Sequence, residues 1–361
     1  LPTIVDKYPE LVETDEVHSV THCILSPQCR INSMILRQWL TAVAIIATAG
    51  SCWKYSPVAQ GFRVGLVTPG SIADAAWNSG AYQGLIRVRD SLAASVSQVE
   101  ARTPGEQEEA LRTYAAQGYD LVFGHGFEFQ GAAERVSAQY PRTVFIVTSG
   151  ERVVGNVSPL IFRLSEASYL AGMVAGGMTK SNTIAFVGGI ELPPIKLAED
   201  AWVAGAKAVN PKVVARSTYL NTFDDVAAGR EAAIALLRAG ADMFHHNADQ
   251  AALGVFQAVK ESPAAYIFGA NLDQRDLAPE RVLGSAVIDL PRAFLTVAKE
   301  VKQGGFRPKV ESFGLKGNVI RYEPNPGLET TVPVALRARV AAARDSIVAE
   351  DDRPASPAPA Q

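Results

Sequence analysis

From Phe62 onward the chain repeats one pattern: a short apolar, β-rich run, then a longer alanine-rich stretch with helical spacing. The runs are Arg63–Val67, Val96–Ala101, Leu121–Gly124, Thr143–Thr148, Thr183–Gly188, Val213–Tyr219, Ala241–His245 and Ala265–Gly269. The helical stretches are Asp74–Ala93, Gly105–Gln117, Gln130–Gln139, Ser165–Thr179, Ile195–Val209, Asp225–Ala239 and Ala251–Glu261. Strands that read as continuous Val, Ile and Phe are buried on both faces, which predicts parallel sheets covered by helices. About four such units precede Gly155-Asn156-Val157 and four follow. The expected fold is therefore α/β, with two Rossmann-like, doubly wound lobes in tandem.

After Gly284 the rhythm breaks. Ser285–Asp289 reads as a strand, Pro291–Lys302 as a helix, Phe313–Leu315 and Val319–Tyr322 as β-like, and Val334–Val348 as a last helix. Crossings between lobes are expected near Asn156–Phe162, Ala286–Asp289 and Ser312–Gly314, giving a multi-strand hinge. They divide the chain into a first lobe of 62–158 plus 287–312 and a second of 159–286 plus 313–348. The Pro/Ala-rich segment 349–361 reads as a disordered tail.

The N-terminal region has a different character. Met34-Ile35-Leu36-Arg37 leads into the apolar run Trp39–Ala47 and then Ala49-Gly50-Ser51-Cys52. A basic residue, a short apolar run and small residues make a secretory signal peptide over 34–52. Small residues before Cys52 resemble a lipobox, so lipidation at Cys52 is expected, with an ordinary signal peptide as the alternative. The mixed, acidic residues 1–33 are unlike an export n-region, and Met34 is the expected start. Cys23 and Cys29 precede it and no cysteine follows Cys52, so neither disulfides nor a cysteine metal site is expected in the mature chain.

Charge excludes some functions. The formal net charge is -3, which argues against a general nucleic-acid binder. No apolar stretch is long enough for a membrane-spanning helix.

In doubly wound sheets, ligands bind outside the carboxyl ends of the strands. The residues after each run are therefore the candidates. After the first run come Thr68 and Gly70, then Asp74 as a helix cap and Trp77-Asn78 in the first turns. Trp77 either packs between helix and sheet or stacks on a planar ligand; the small residues around it favour stacking. Gly124-His125-Gly126-Phe127-Glu128-Phe129 follows the third run, with His125 either facing the cleft or solvated in a loop. Thr148-Ser149 ends the fourth. In the second half, Phe223 offers a second aromatic face and Asp225 a helix cap. His245-His246-Asn247 and Asn271-Leu272-Asp273 end two further runs. Adjacent strand histidines point to opposite faces, so they do not readily share one metal; they read as polar cleft lining. Trp202, at helical spacing with Ala198 and Gly205, is a core or a ligand residue, with core the commoner outcome. No Walker loop, GxGxxG opening a helix, GxSxG elbow, HExxH or CxxC occurs, which favours a binding protein over an enzyme.

Several of these stretches together resemble one family. Gly70-Ser-Ile-Ala-Asp-Ala-Ala-Trp-Asn78 is similar to a Gly-x-Ile-Asp-Asp-x-Ser-Phe-Asn element of the basic membrane protein (BMP) family, the PnrA-like group of ABC-transporter substrate-binding lipoproteins. Asn156 to Gly172, with its Leu-Ala-Gly ending, resembles that family's hinge and helix. Phe186-Val-Gly-Gly189, Ala204-Gly205 to Asn210-Pro211, Phe223-Asp224-Asp225 with Gly229, and Gly240-Ala241-Asp242 also fit. The resemblance covers Arg63 to Val348.

It implies a type I periplasmic-binding-protein fold closing on a nucleoside, with the base between two aromatics and the ribose held by Asp and Lys. Carried over, Trp77 and Phe223 are the aromatics and Asn78 the neighbouring amide. The ribose positions depart: Thr68-Pro69 replaces an acidic residue, Thr148 or Ser149 an Asp, Asn271 an Asp and Ile288 the Lys.

The resulting expectation is an exported, lipid-anchored, monomeric binding protein at the cell membrane or in the periplasm. It would capture a nucleoside or nucleobase-like solute for an ABC permease and ATPase, without a cofactor or metal. Trp77, Asn78, Phe223, Asn271, Asp273, Asn247, Thr68 and Trp202 would contact the solute. The alternatives are a ligand sensor signalling to a membrane receptor, and a binder of a non-nucleoside solute such as a sugar.

Overall fold

The computed structural model describes residues 61–351. The expected start, the signal segment, Cys52 and all of the tail beyond Asp351 lie outside the described residues. Two six-stranded sheets form the scaffold. The first contains β1 (Arg63–Thr68), β2 (Ser95–Glu100), β3 (Leu121–His125), β4 (Val144–Thr148), β5 (Val157–Phe162) and β11 (Glu311–Phe313). The second contains β6 (Thr183–Gly188), β7 (Val214–Tyr219), β8 (Met243–Asn247), β9 (Tyr266–Asn271), β10 (Val282–Ile288) and β12 (Ile320–Pro324). The orders are β11-β5-β4-β3-β1-β2 and β12-β10-β9-β8-β6-β7. Each is the same doubly wound pattern, with its first strand between its second and third. Among the named strands every pairing is parallel except β10 with β12.

Helices α1 (Trp77–Leu92), α2 (Pro104–Ala116) and α3 (Gln130–Ser137) follow strands of the first sheet. Helices α4 (Leu164–Met178), α5 (Pro193–Val209), α6 (Val226–Arg238) and α7 (Ala252–Glu261) accompany the second. Local chemistry sets several starts. Helix α2 opens on Pro104 behind a capping box, in which the Thr103 hydroxyl accepts from the Glu106 N–H and Glu106 accepts from the Thr103 N–H. Asp225 caps α6 by accepting from the Ala228 N–H at 2.9 Å, as its position predicts.

The chain returns to the first lobe late. Helix α8 (Leu290–Lys302) leaves β10 of the second sheet but packs on α1, and α9 (Val334–Glu350) returns to pack on α4. Asn156–Phe162 was expected as a crossing. Val157–Phe162 instead pairs with β4 and β11 as strand β5, so the chain leaves the first sheet only after Phe162. The physical reason is burial: five of these six residues are buried, as a central strand requires. Helix α9 also runs two residues beyond Val348.

Helices α4 and α5 meet backbone to backbone. A Cβ on Gly172 would fall 2.1 Å from the Trp202 carbonyl oxygen, and one on Gly205 would fall 2.0 Å from the Tyr169 oxygen. These glycines are required by close approach, which gives the Leu-Ala-Gly ending of the hinge helix a packing role.

Candidate ligand-binding cleft

The strand ends of both sheets border one cleft of about 480 Å³. That volume is in the range of pockets that enclose a small organic molecule. The first lobe contributes Pro69 and Gly70 after β1, Trp77 and Asn78 at the start of α1, Glu128 after β3 and Ser149 after β4. The second contributes Ile190 after β6, Phe223 after β7, Asn247 and Asp249 at and after β8, Asn271 at the end of β9 and Ile288 at the end of β10.

Trp77 is half-buried. Its ring stacks on His125 at 4.0 Å between centroids and 22° between planes, and meets Phe162 edge-on at 6.0 Å. Protein therefore backs the indole while the residue still lines the cleft. Phe223 is backed in a similar way by Gly189, where a Cβ would come 2.2 Å from its Cδ1.

His125 is fully buried behind Trp77 rather than facing the cleft. Burial lowers it to about 3, so it is neutral. Nε2 lies 3.0 Å from the Trp77 carbonyl, which can only accept. The proton therefore sits on Nε2, and Nδ1 accepts from the Thr148 hydroxyl at 3.0 Å. Thr148 is thereby committed to His125, and Ser149 is the residue of that pair that lines the cleft.

Asp74 anchors the first turn of α1. It accepts from the N–H groups of Ala76, Asn78 and Ser79 at 3.0, 2.7 and 2.9 Å. The helix itself starts three residues later than the sequence suggests, because Asp74 caps it from outside. Asn78 is buried to 5% exposure, lines the cleft, and its Oδ1 has no hydrogen-bond partner.

Asp249 is the principal residue that the sequence reading missed. It lies two positions beyond Asn247 and is 7% exposed. It accepts from the Asn271 amide at 3.2 Å, and the Trp77 backbone N–H across the cleft lies near enough to favour its ionised form. Burial, followed by the nearby charge of Asp74, raises its carboxyl well above the usual carboxylate range. Glu128 is also raised, by desolvation. The rule that ligands sit at strand ends would have reached Asp249, but the reading stopped at the His-His-Asn triplet. Arg102 and Gln107, beyond β2, were missed for the same reason. Among the described residues Arg102 is the one cation lining the cleft, and it pairs with Glu100 at 2.5 Å and, across the cleft, with Asp224 at 2.7 Å. Four lining residues hold positive φ without being glycine: Ser149, Asn221, Asp249 and Asn271. Backbone strain of this kind concentrates at ligand sites.

The structure thus brings together Trp77, Asn78, Phe223, Asn247 and Asn271. Three expected contacts and the two second-lobe histidines lie elsewhere. Thr68 is fully buried, donating to the Gly70 carbonyl at 2.9 Å and accepting from Gln98 at 3.0 Å. Trp202 is fully buried beside His245 and Phe268, each at 5.1 Å, so helical spacing marked a core residue. Asp273 pairs with Arg275 in the turn after β9. His245 and His246 are both fully buried; His245 meets Ser168 and the Phe268 carbonyl, and His246 meets Gln274. They serve the strand's packing and do not line the cleft. Among the described residues no His/Cys/Asp/Glu group is arranged to hold a metal.

Known proteins match this architecture. The family model for the PnrA-like ABC transporter substrate-binding proteins, Bmp, matches residues 62–351. Basic membrane protein A2 of Borrelia garinii subsp. bavariensis is 28% identical over 271 residues, covering 73% of this chain and 80% of its own. A solute-binding protein of an ABC transporter system from Conexibacter woesei superposes with a TM-score of 0.66 at 26% identity, over 81% of this chain and 98% of its own. One from Aeropyrum pernix gives 0.75 at 22% identity, over 82% and 94%. The two-lobed scaffold is accordingly a type I periplasmic-binding-protein fold. The chain belongs to the Bmp family of PnrA-like ABC transporter substrate-binding proteins.

Proposed function

We propose that the protein is the capture component of an ABC importer, and that it holds a small planar solute between Trp77 and Phe223. The observation that carries this reading is that two backed aromatic side chains, one from each lobe, line the same cleft. Offset stacking on two rings suits a nucleoside, a nucleobase or a similar heterocycle. Asn78, Asn247 and Asn271 supply hydrogen bonds around the ring edge. Closure of the lobes buries the solute and presents the closed shape to the permease, and the partner ATPase drives uptake. Export with a lipid at Cys52 would keep the monomer at the membrane.

Ile288 lines the cleft as an aliphatic residue, so no lysine is available there for a ribose. Free bases and other heterocycles therefore compete with nucleosides as the preferred solute. The test is a thermal-shift panel of nucleosides, nucleobases, sugars and amino acids on the full chain. At least one planar heterocycle should raise the melting temperature. A panel in which only sugars or amino acids do so refutes the stacking reading.

A further inference from the structure

We infer that the cleft is built for a planar heteroaromatic cation, whose charged N–H edge meets Asp249 and Asn78 while its ring lies between Trp77 and Phe223. This inference deepens the stacking reading and rests on it.

The first argument is the balance of charge. Asp74, Glu128, Asp224 and Asp249 line the cleft against Arg102 alone. Arg102 is already shared between Glu100 and Asp224. Asp74 is satisfied by three backbone N–H groups of α1. Asp249 and Glu128 are left without a cationic side chain in the cleft.

The second argument is an unmet acceptor. Asn78 is nine-tenths buried and lines the same wall, yet its Oδ1 receives no hydrogen bond. A buried acceptor without a donor costs about 1–3 kcal/mol; as placed Oδ1 is closed off from the cleft, and a half-turn of the Asn78 amide, neither of whose ends is hydrogen-bonded, would present it to a ligand N–H. Asp249 comes close to the same turn, because the Trp77 backbone N–H is near enough to favour its ionised form. Asp249 and Asn78 thus line the same cleft from opposite lobes.

The ligand chemistry follows from these two acceptors. An amidine-type edge, as in a protonated amino-heterocycle, carries neighbouring N–H donors and a positive charge in the plane of the ring. Charge-assisted bonds of this kind are the stronger ones. A cation beside Asp249 also favours the ionised carboxylate that burial alone disfavours. An anionic edge would meet two uncompensated carboxylates in a confined space and no free guanidinium or ammonium. A phosphorylated form of any solute is excluded on the same ground.

The test uses three probes of nearly one shape: benzamidine as cation, benzamide as neutral form and benzoate as anion. Dissociation constants for the full chain are measured by ligand-observed NMR. Benzamidine should bind at least tenfold more tightly than benzamide, and benzoate should not bind. In Asp249→Asn the preference should shrink to about twofold. Glu128→Gln, in the short 3-10 turn after β3, should lower it less and serves as the second variant in case Asp249→Asn fails to fold. Equal or tighter binding of benzamide or benzoate overturns the inference, as does an undiminished preference in the folded variants. Failure of benzamidine to bind, while adenine or adenosine binds, also overturns the cation assignment and leaves the stacking reading intact. If only a sugar or an amino acid binds, the stacking reading itself falls.

Discussion

Trp77→Ala separates a stacking residue from a packing residue, because the two roles predict different pairs of numbers. The backbone groups of Trp77 survive the change. Its carbonyl still accepts from His125 within the same lobe and its N–H stays near Asp249, so the backbone at the start of α1 keeps its surroundings. What is lost is the indole, half-buried, at 4.0 Å from His125 and 6.0 Å from Phe162. Removing a fully buried large aromatic costs about 3–5 kcal/mol, and a half-buried one about half of that, roughly 2 kcal/mol. Removing one stacking face from a bound heterocycle costs about 1–3 kcal/mol more in binding. That corresponds to a rise in Kd of about 5- to 150-fold.

The assay is calorimetric titration with the strongest planar binder from the panel, alongside urea unfolding of the same preparations. Trp77→Phe should recover Kd to within about threefold, since a smaller ring still offers one face. The reasoning is refuted if Trp77→Ala leaves Kd within about twofold of the parent while unfolding free energy falls by about 2 kcal/mol or more. That pair of results would make Trp77 a packing residue beside the cleft.

Other expectations follow from the same geometry. Gly172→Ala forces a Cβ to within 2.1 Å of the Trp202 carbonyl, so α4 and α5 must separate; unfolding free energy should fall by about 3 kcal/mol in urea melts. Arg102→Ala removes the pair to Asp224, whose side chains are half-exposed at 51% and 49%, so stability should change by less than about 1 kcal/mol. Its effect should appear in solute-free scattering as a larger radius of gyration, and an unchanged radius shows that the pair does not hold the lobes together. Acid should destabilise the protein. His125 and His246 are lowered to about 3 and His245 to about 4 by burial, so below about pH 6.5 the unfolded chain binds protons that the native one does not. Stability is therefore present above the unfolded value and declines as pH falls, by about 1.4 kcal/mol per pH unit for each histidine. Asp249 and Glu128, raised in the native state, have the opposite sign and make the slope shallower. Urea melts at pH 7, 6 and 5 measure the slope, and a flat profile refutes it.

The alternation of runs and helices disclosed the two doubly wound sheets because period and burial are local properties. The sheet containing β5 was less legible: Val157–Phe162 reads equally well as a linker between lobes and as a strand, and only its pairing with β4 and β11 decides. Within the cleft, the residues found were those at strand ends with distinctive side chains, Trp77, Phe223, Asn247 and Asn271. Thr68 misled because a position at a strand end does not say which way the side chain turns; it turns into the protein, and Trp202, inside its helix, takes the core outcome that its spacing favoured. Asp249 was missed for the converse reason. Its importance comes from Trp77 and Asn271, which are distant in sequence and meet it only in the fold.

If the cleft captures a solute as proposed, the first turn of α1 would make capture and closure one event. Asp74 organises the turn from within its own lobe. From the other lobe, Gln274 donates to the Ala75 carbonyl at 3.3 Å and Asp249 lies near the Trp77 N–H. Near the same cleft Arg102 reaches Asp224. Each such bond nets about 1 kcal/mol or less, because water offers the same groups partners when the lobes part. Protein contacts alone therefore leave opening accessible, and a solute shifts the balance only by the affinity it gains from the closed form over the open one. A solute touching Trp77 on one lobe and Phe223 on the other gains nearly all its second face on closure. On the proposed reading, the residues that contact the solute would for that reason also decide the shape offered to a permease.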